Sequence, residues 1–197
     1  MKIKTIIAAF ALMLSCSLSA QTQQWFSKGD VSVRAGWSIS PVAMAGDFAD
    51  DREQLPFGLN YIYRDYHKDI KSTGNFNLAV DYTFNEWITV SLYASYAGFS
   101  RDMYSGISGK RRSTEKGFAI CAVPHFRFTY YGTELLRAYG TLGVGYIYYN
   151  GFPGSNAAVA IQFNPAGIEF GRKFFGYAEI GFGTIYMGIN AGIGYRF

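Results

Sequence analysis

Along most of this chain, apolar and polar residues alternate with a period of two. The clearest run covers residues 74–84, where Phe76, Leu78, Val80, Tyr82 and Phe84 alternate with Asn75, Asn77, Ala79, Asp81 and Thr83. Such alternation predicts a β-strand with one apolar and one polar face. Asn85-Glu86 then turns the chain into residues 87–97, which carry Ile88, Val90, Leu92, Ala94 and Tyr96 on one face. Residues 116–130 repeat the pattern through Phe118, Ile120, Ala122, Pro124, Phe126, Phe128 and Tyr130. After Tyr131-Gly132-Thr133-Glu134 comes a strand at 135–149 that faces Leu136, Ala138, Leu142, Val144, Tyr146 and Tyr148 the same way. A first strand at 30–38 presents Val31, Val33, Ala35 and Trp37. In the sixth, at 157–171, the apolar parity flips from Val159, Ile161 and Phe163 to Ile168 and Phe170. A bulge at Asn164-Pro165-Ala166-Gly167 absorbs that slip, and proline, lacking an N–H, suits a bulge. Glycine-rich segments at 175–183 and 187–197 complete eight strands.

The links between strands alternate in length. Residues 39–73 and 98–115 form long loops and 150–156 a moderate one, whereas 85–86, 131–134 and 172–174 are short. The expected fold is all-β, an eight-stranded antiparallel up-and-down transmembrane β-barrel, whose outer loops are long and inner turns short. The link at 184–186 is short where a long one is expected. Alternation alone does not say which face points inward, but charge placement does. Arg34, Asp81, His125, Arg127, Arg137, Glu169, Glu179 and Arg196 all share the polar face. An Arg or Lys facing lipid at mid-bilayer costs about 2–4 kcal/mol, so charges belong in the lumen. Lys28, Lys68, Lys71, Lys110, Lys116 and Lys173 fall in predicted loops or at strand ends. A water-washed strand face would carry several of them. Phe84, Trp87, Phe128, Tyr130, Phe174, Tyr195 and Phe197 gather at one end, and Trp37, Tyr96, Tyr146 and Tyr148 near the other, as interfacial girdles do.

The two ends of the chain add a destination. Lys2 and Lys4 precede an apolar run at 6–14 that is too short to span a bilayer as a helix, followed by small residues up to Ala20. Residues 1–20 are expected to be a signal peptide, leaving a barrel domain at 21–197; Met13-Leu14-Ser15 before Cys16 fits a lipoprotein site poorly. Cleavage removes two of the 18 Lys+Arg, leaving 16 against 14 Asp+Glu, so the basic balance points to no nucleic-acid partner. Only Cys121 survives, which excludes an internal disulfide and a cysteine metal site. The chain ends Asn190-Ala191-Gly192-Ile193-Gly194-Tyr195-Arg196-Phe197. Asn190, Gly192, Tyr195 and Phe197 resemble the C-terminal assembly signal of bacterial outer-membrane barrels. With the segment from Gly176 to Gly183, the chain resembles the outer membrane protein beta-barrel domain family of small Gram-negative porin-like proteins, similar in architecture to the OmpA transmembrane domain. That resemblance implies a monomer in the cell outer membrane, inserted by the barrel assembly machinery and surrounded by outer-membrane lipid and lipopolysaccharide. No peptidoglycan-binding domain is expected after the barrel.

Candidate chemistry is sparse. Arg34, Arg127, Arg137 and Arg196 against Asp81, Glu169 and Glu179 predict a luminal ion-pair network that fills an interior just wide enough for side chains; the sharper reading is a gated ion path. Lys110, Arg111 and Arg112, with Arg101 and Lys116, form a basic cluster in the second long loop, where lipopolysaccharide phosphates are the local anions. Acylation or deacylation of lipid A needs a histidine beside an activated serine. His125-Phe126-Arg127 offers no neighbouring serine, and His67 sits in the first long loop with none specified beside it. Asp47, Asp50, Asp51, Arg52 and Glu53 lack the spacing of a calcium loop. There is no phosphate loop or nucleotide fingerprint, so no cofactor, metal or catalytic residue is expected. The leading expectation is a non-enzymatic barrel with a structural or surface-binding role through its extracellular loops. A small channel or transport accessory and a lipid A-modifying enzyme stand behind it.

Overall fold

Eight antiparallel strands close on themselves in the computed structural model, which describes residues 28–39, 66–105, 107–151 and 154–197. They are β1 (Val31–Ser38), β2 (Tyr66–Thr83), β3 (Ile88–Tyr104), β4 (Arg111–Gly132), β5 (Leu136–Gly151), β6 (Gly154–Gly171), β7 (Phe174–Gly183) and β8 (Gly188–Arg196). Each strand pairs with the next, and β1 pairs with β8 from Ser32↔Arg196 to Ser38↔Asn190. The predicted leader at 1–20 and the acidic stretch around Asp50 lie outside the described residues.

The alternating apolar face points outward. Leu92 is 61% exposed and Tyr146 71%, while Arg127 and Glu169 are almost wholly enclosed. A barrel dressed this way is matched to hydrocarbon rather than to water. At the short-turn end, Tyr82 packs edge-on against Phe84 and Tyr195 against Phe197, forming one aromatic rim. Tyr96, Phe118 and Tyr148 line up across three strands at the other. In the β2–β3 turn, the Asn85 side chain accepts hydrogen bonds from the backbone N–H groups of Trp87 and Ile88, at 2.9 and 2.8 Å. That local bond is the reason Asn suits the position.

Several strands run further than the alternation predicts, β2, β3 and β4 most of all. β2, β3 and β4 have 18, 17 and 22 residues, against the roughly 9–11 needed to cross a bilayer. The expected loop at 98–115 is instead the upper part of a β3–β4 hairpin, near whose end the Ser105 N–H donates to the Lys110 carbonyl at 2.9 Å. Residues 66–73 likewise belong to β2, and the moderate loop at 150–156 is mostly a β5–β6 hairpin carrying the pair Asn150↔Ser155. The cause is physical. Above the apolar belt lipid no longer wets the outer face, so the alternation ends while backbone pairing continues, with Phe99, Arg101 and Asp102 still buried there.

The parity flip in β6 coincides with register shifts on both sides, between Phe163 and Ala166 toward β7 and opposite Tyr139 and Thr141 of β5. A second bulge, between Ser72 and Asn75 of β2, carries no apolar signal in the sequence. Gly74 takes a left-handed φ of 76° there, and an added Cβ would run into the Trp37 indole. Trp37 Nε1 donates to the Thr73 carbonyl at 3.1 Å and fixes the bend.

An outward charge in the belt tests the orientation of the wall. Val144→Arg, within the apolar belt, is expected to cost up to about 2–4 kcal/mol in equilibrium unfolding from lipid vesicles. Lys116→Arg, above the belt, is expected to change nothing measurable in the same assay.

Candidate functional site: a filled lumen beneath a basic rim

Every charge predicted for the lumen lies on the inner wall, because residues on one parity of each strand share a face. Arg34 on β1 donates through Nε and Nη2 to both Asp81 oxygens, at 2.7 and 3.1 Å, and through Nη1 to Glu179 Oε1 at 2.8 Å. Arg127 spans from Asp81 to Glu169, at 3.4 Å to each. Glu169 also meets Arg137 at 3.6 Å and Arg196 at 3.7 Å. The structure thus joins Arg34, Asp81, Arg127, Arg137, Glu169, Glu179 and Arg196 in one connected set. Buried ions need pairing to persist. Asp81 and Glu179 each accept from several donors, whereas Glu169 takes one hydrogen bond, from Arg127, and its Oε2 faces Arg137 and Arg196 without one.

Aromatic side chains complete the filling. Arg34 stacks over Tyr177, Arg127 over Tyr139 and Arg196 over Phe175, with guanidinium-to-ring distances of 4.9, 4.2 and 4.9 Å. Glu179 accepts from the Tyr139 and Tyr186 hydroxyls at 2.9 and 3.1 Å, and from Asn164 and Asn190 at 3.3 and 3.2 Å. Sequence reasoning missed these tyrosines. Tyr139 and Tyr177 sit at inward parity, which could have revealed them. Tyr186 lies in a turn, where no periodicity operates.

The short link at 184–186 now has a reason. It does not arch outward but folds into the mouth, burying Ile185 and Tyr186 completely. Gln162 clamps it, donating to the Tyr186 carbonyl at 3.2 Å and accepting from its N–H at 3.3 Å. Phe99, Ala119, Cys121, Ile147 and Ala160 pack around it as an apolar cap above the polar layer.

The C-terminal residues have folded-state roles. Asn190 is fully buried and accepts from Asn77 Nδ2 at 2.8 Å. A Cβ on Gly192 would strike the Ala35 carbonyl, so close β1–β8 approach demands glycine there. Tyr195 and Phe197 face outward, and the Phe197 N–H donates to the Val31 carbonyl at 2.9 Å.

His125 faces inward, stacked on Tyr93 with 4.9 Å between ring centroids. Ser91, two strand positions from Tyr93, is its direct partner across the β3–β4 ladder. Sequence reasoning had found no serine for this histidine. No hydrogen bond joins Ser91 to His125 among the described residues, and Asp81 is held by Arg34 and Arg127, so the nucleophile–base contact of an acyl-transfer site is missing. His67 lies on β2 opposite Met103, and its side chain is outside the described part.

The basic cluster divides on the β3–β4 hairpin. Arg101 pairs with Glu115 at 2.8 Å, and Arg111 with Asp102 at 3.4 Å. Hydrogen bonds from Thr114 and Arg111 hold the Asp102 carboxyl below its usual range. Lys110, Arg112 and Lys116 are exposed.

No family model and no curated protein matches this chain. Two solved structures are similar in fold. The crystal structure of Ail, the attachment invasion locus protein of Yersinia pestis, is 22% identical over 87% of this chain and 100% of its own, with a TM-score of 0.38. The backbone structure of the Yersinia pestis outer membrane protein Ail in a phospholipid bilayer nanodisc is 19% identical over 86% and 99%, with a TM-score of 0.39. At such values the likeness adds nothing to the barrel, which stands on its own strand pairing.

Removing one partner from the buried set is expected to be severe. Asp81→Ala leaves Arg34 and Arg127 enclosed and should cost about 3–5 kcal/mol in guanidinium unfolding. Glu134→Ala breaks the exposed 2.6 Å pair with Arg172 and should cost no more than about 1 kcal/mol.

Proposed function

We propose that this chain is an integral outer-membrane barrel that performs no catalysis, carries no solute, and acts as a monomer through the strands and loops it raises above the outer leaflet. Support comes from one pairing of features: an apolar exterior surrounding a lumen crossed by paired ions and capped by Ile185 and Tyr186. Side chains fill a barrel of eight strands, leaving the loops and strand ends to do the binding. In this reading a leader at 1–20 directs export, and the last strand, with Asn190, Gly192, Tyr195 and Phe197, is read by the barrel assembly machinery. Lipopolysaccharide phosphates are the anions nearest the basic cluster. Lys110 and Lys116 make that contact, while Arg101 and Arg111, tied to Glu115 and Asp102, brace the hairpin.

Planar-bilayer recording separates this from a channel. The purified barrel is expected to insert and remain electrically silent; stepwise conductance that disappears in an Arg34→Ala, Arg127→Ala variant would replace the filled barrel with a gated path. Mass spectra of lipid A from cells with and without the protein should be identical, and an altered acyl pattern would establish an enzyme.

A further inference from the structure

The β2 bulge has an effect outside the lumen. Below it, even-numbered residues of β2 such as Phe76 and Leu78 face outward. Because Thr73 and Gly74 together oppose Gly98, the parity reverses above it. Bulges at barrel rims commonly re-aim a side chain in this way. Here the re-aimed residue is Lys71, which pairs with Ser100 of β3, and Ser100 pairs in turn with Lys116 of β4. Two exposed lysines therefore flank one serine in a single cross-strand row, with Cα atoms two strand spacings apart, roughly 9–10 Å. Their flexible stems can close on one anionic group between them.

Directly beneath that row, Gly98 leaves a hollow of about 510 Å³. Tyr96 and Phe118 wall its lower side, stacked with ring centroids 6.3 Å apart, and Thr73 borders it above. Among the described residues Asp102 is a nearby carboxylate; Lys71 acts on it electrostatically, but its hydrogen bonds come from Thr114 and Arg111. The groove lies on the outer wall, where the apolar belt gives way to polar residues. Its lower lip is aromatic, its upper lip cationic, and its floor lined by hydroxyl groups. A ligand that fits is anionic and hydroxylated at one end and apolar at the other.

We propose that this groove is a binding site for a phosphorylated glycolipid of the outer leaflet. A phosphate sits between Lys71 and Lys116, the attached sugar lies in the hollow over Gly98, and the acyl chains run down past Tyr96 and Phe118. Lysine binds phosphate as a point charge, and aromatic faces pack well against sugar rings and chains at the interface. The site rests on the outer-membrane placement proposed above and adds Lys71, which lies outside the basic cluster read from the sequence.

The test uses the full chain in phosphatidylcholine nanodiscs, titrated with bisphosphorylated lipid A and followed by native mass spectrometry. Binding is expected, with at least a tenfold loss for lipid A stripped of its phosphates. A Lys71→Gln, Lys116→Gln variant should lose about tenfold, whereas Lys173→Gln at the opposite rim should lose nothing. Heat-modifiable gel migration confirms that each variant is folded. Undiminished binding by the double variant, equal binding of the dephosphorylated lipid, or equal binding of phosphatidylglycerol would each overturn the site. If the wild-type chain fails to enter nanodiscs at all, the membrane placement itself falls, an outcome distinct from those three.

Discussion

Backbone closure is the constraint on which everything else depends. Hydrocarbon offers no partner to an exposed N–H or C=O, so a sheet can live there only without edges. The β1–β8 ladder removes the last edge. To make it, the two strands must approach closely at Gly36 and Gly192, positions where an added Cβ would collide with the neighbouring strand or with Tyr177. Small residues on the inner wall are thus a condition of closure, and the large inward side chains are distributed around them.

Closure in turn dictates the interior. A cylinder of eight strands cannot be left empty, and its inner parity is the only place within the belt where charge is tolerated. The chain fills it with three carboxylates and four guanidinium groups arranged as a branched network. Asp81 and Glu179 each accept from more than one donor, Glu169 lies among three guanidinium groups, and tyrosine hydroxyls and asparagine amides add to the bonds on Glu179. Above this layer the filling turns apolar. The barrel is therefore a solid wall to solvent in its upper half and a polar scaffold in its lower half.

Much of this was legible in the sequence because two periodicities with one meaning ran together. Where lipid wets one face and packed side chains the other, as in 74–84 or 135–149, alternation marks strand, face and register at once. The same reasoning placed the β6 bulge, since a slip in parity is visible when both faces are marked. It failed above the belt, where lipid no longer marks one face. Residues 98–104 and 111–115 look like loop because Arg101, Asp102, Arg111 and Arg112 break the pattern, yet their backbones pair, with one register shift between Met103 and Tyr104. The β2 bulge was invisible for the same reason, and so was the outward aim of Lys71. Tyr186 was missed because a turn that folds inward leaves no periodic trace.

The apolar cap encloses Cys121, the lone thiol of the chain beyond its first twenty residues. Only the Ser95 hydroxyl keeps it polar company, at 2.9 Å. Until the chain folds, that sulfur is open to mixed-disulfide formation by exchange with any passing disulfide. Once the cylinder shuts, Ile185 and Tyr186 stand between it and the medium. Folding of this barrel is thereby also the act that shields that thiol.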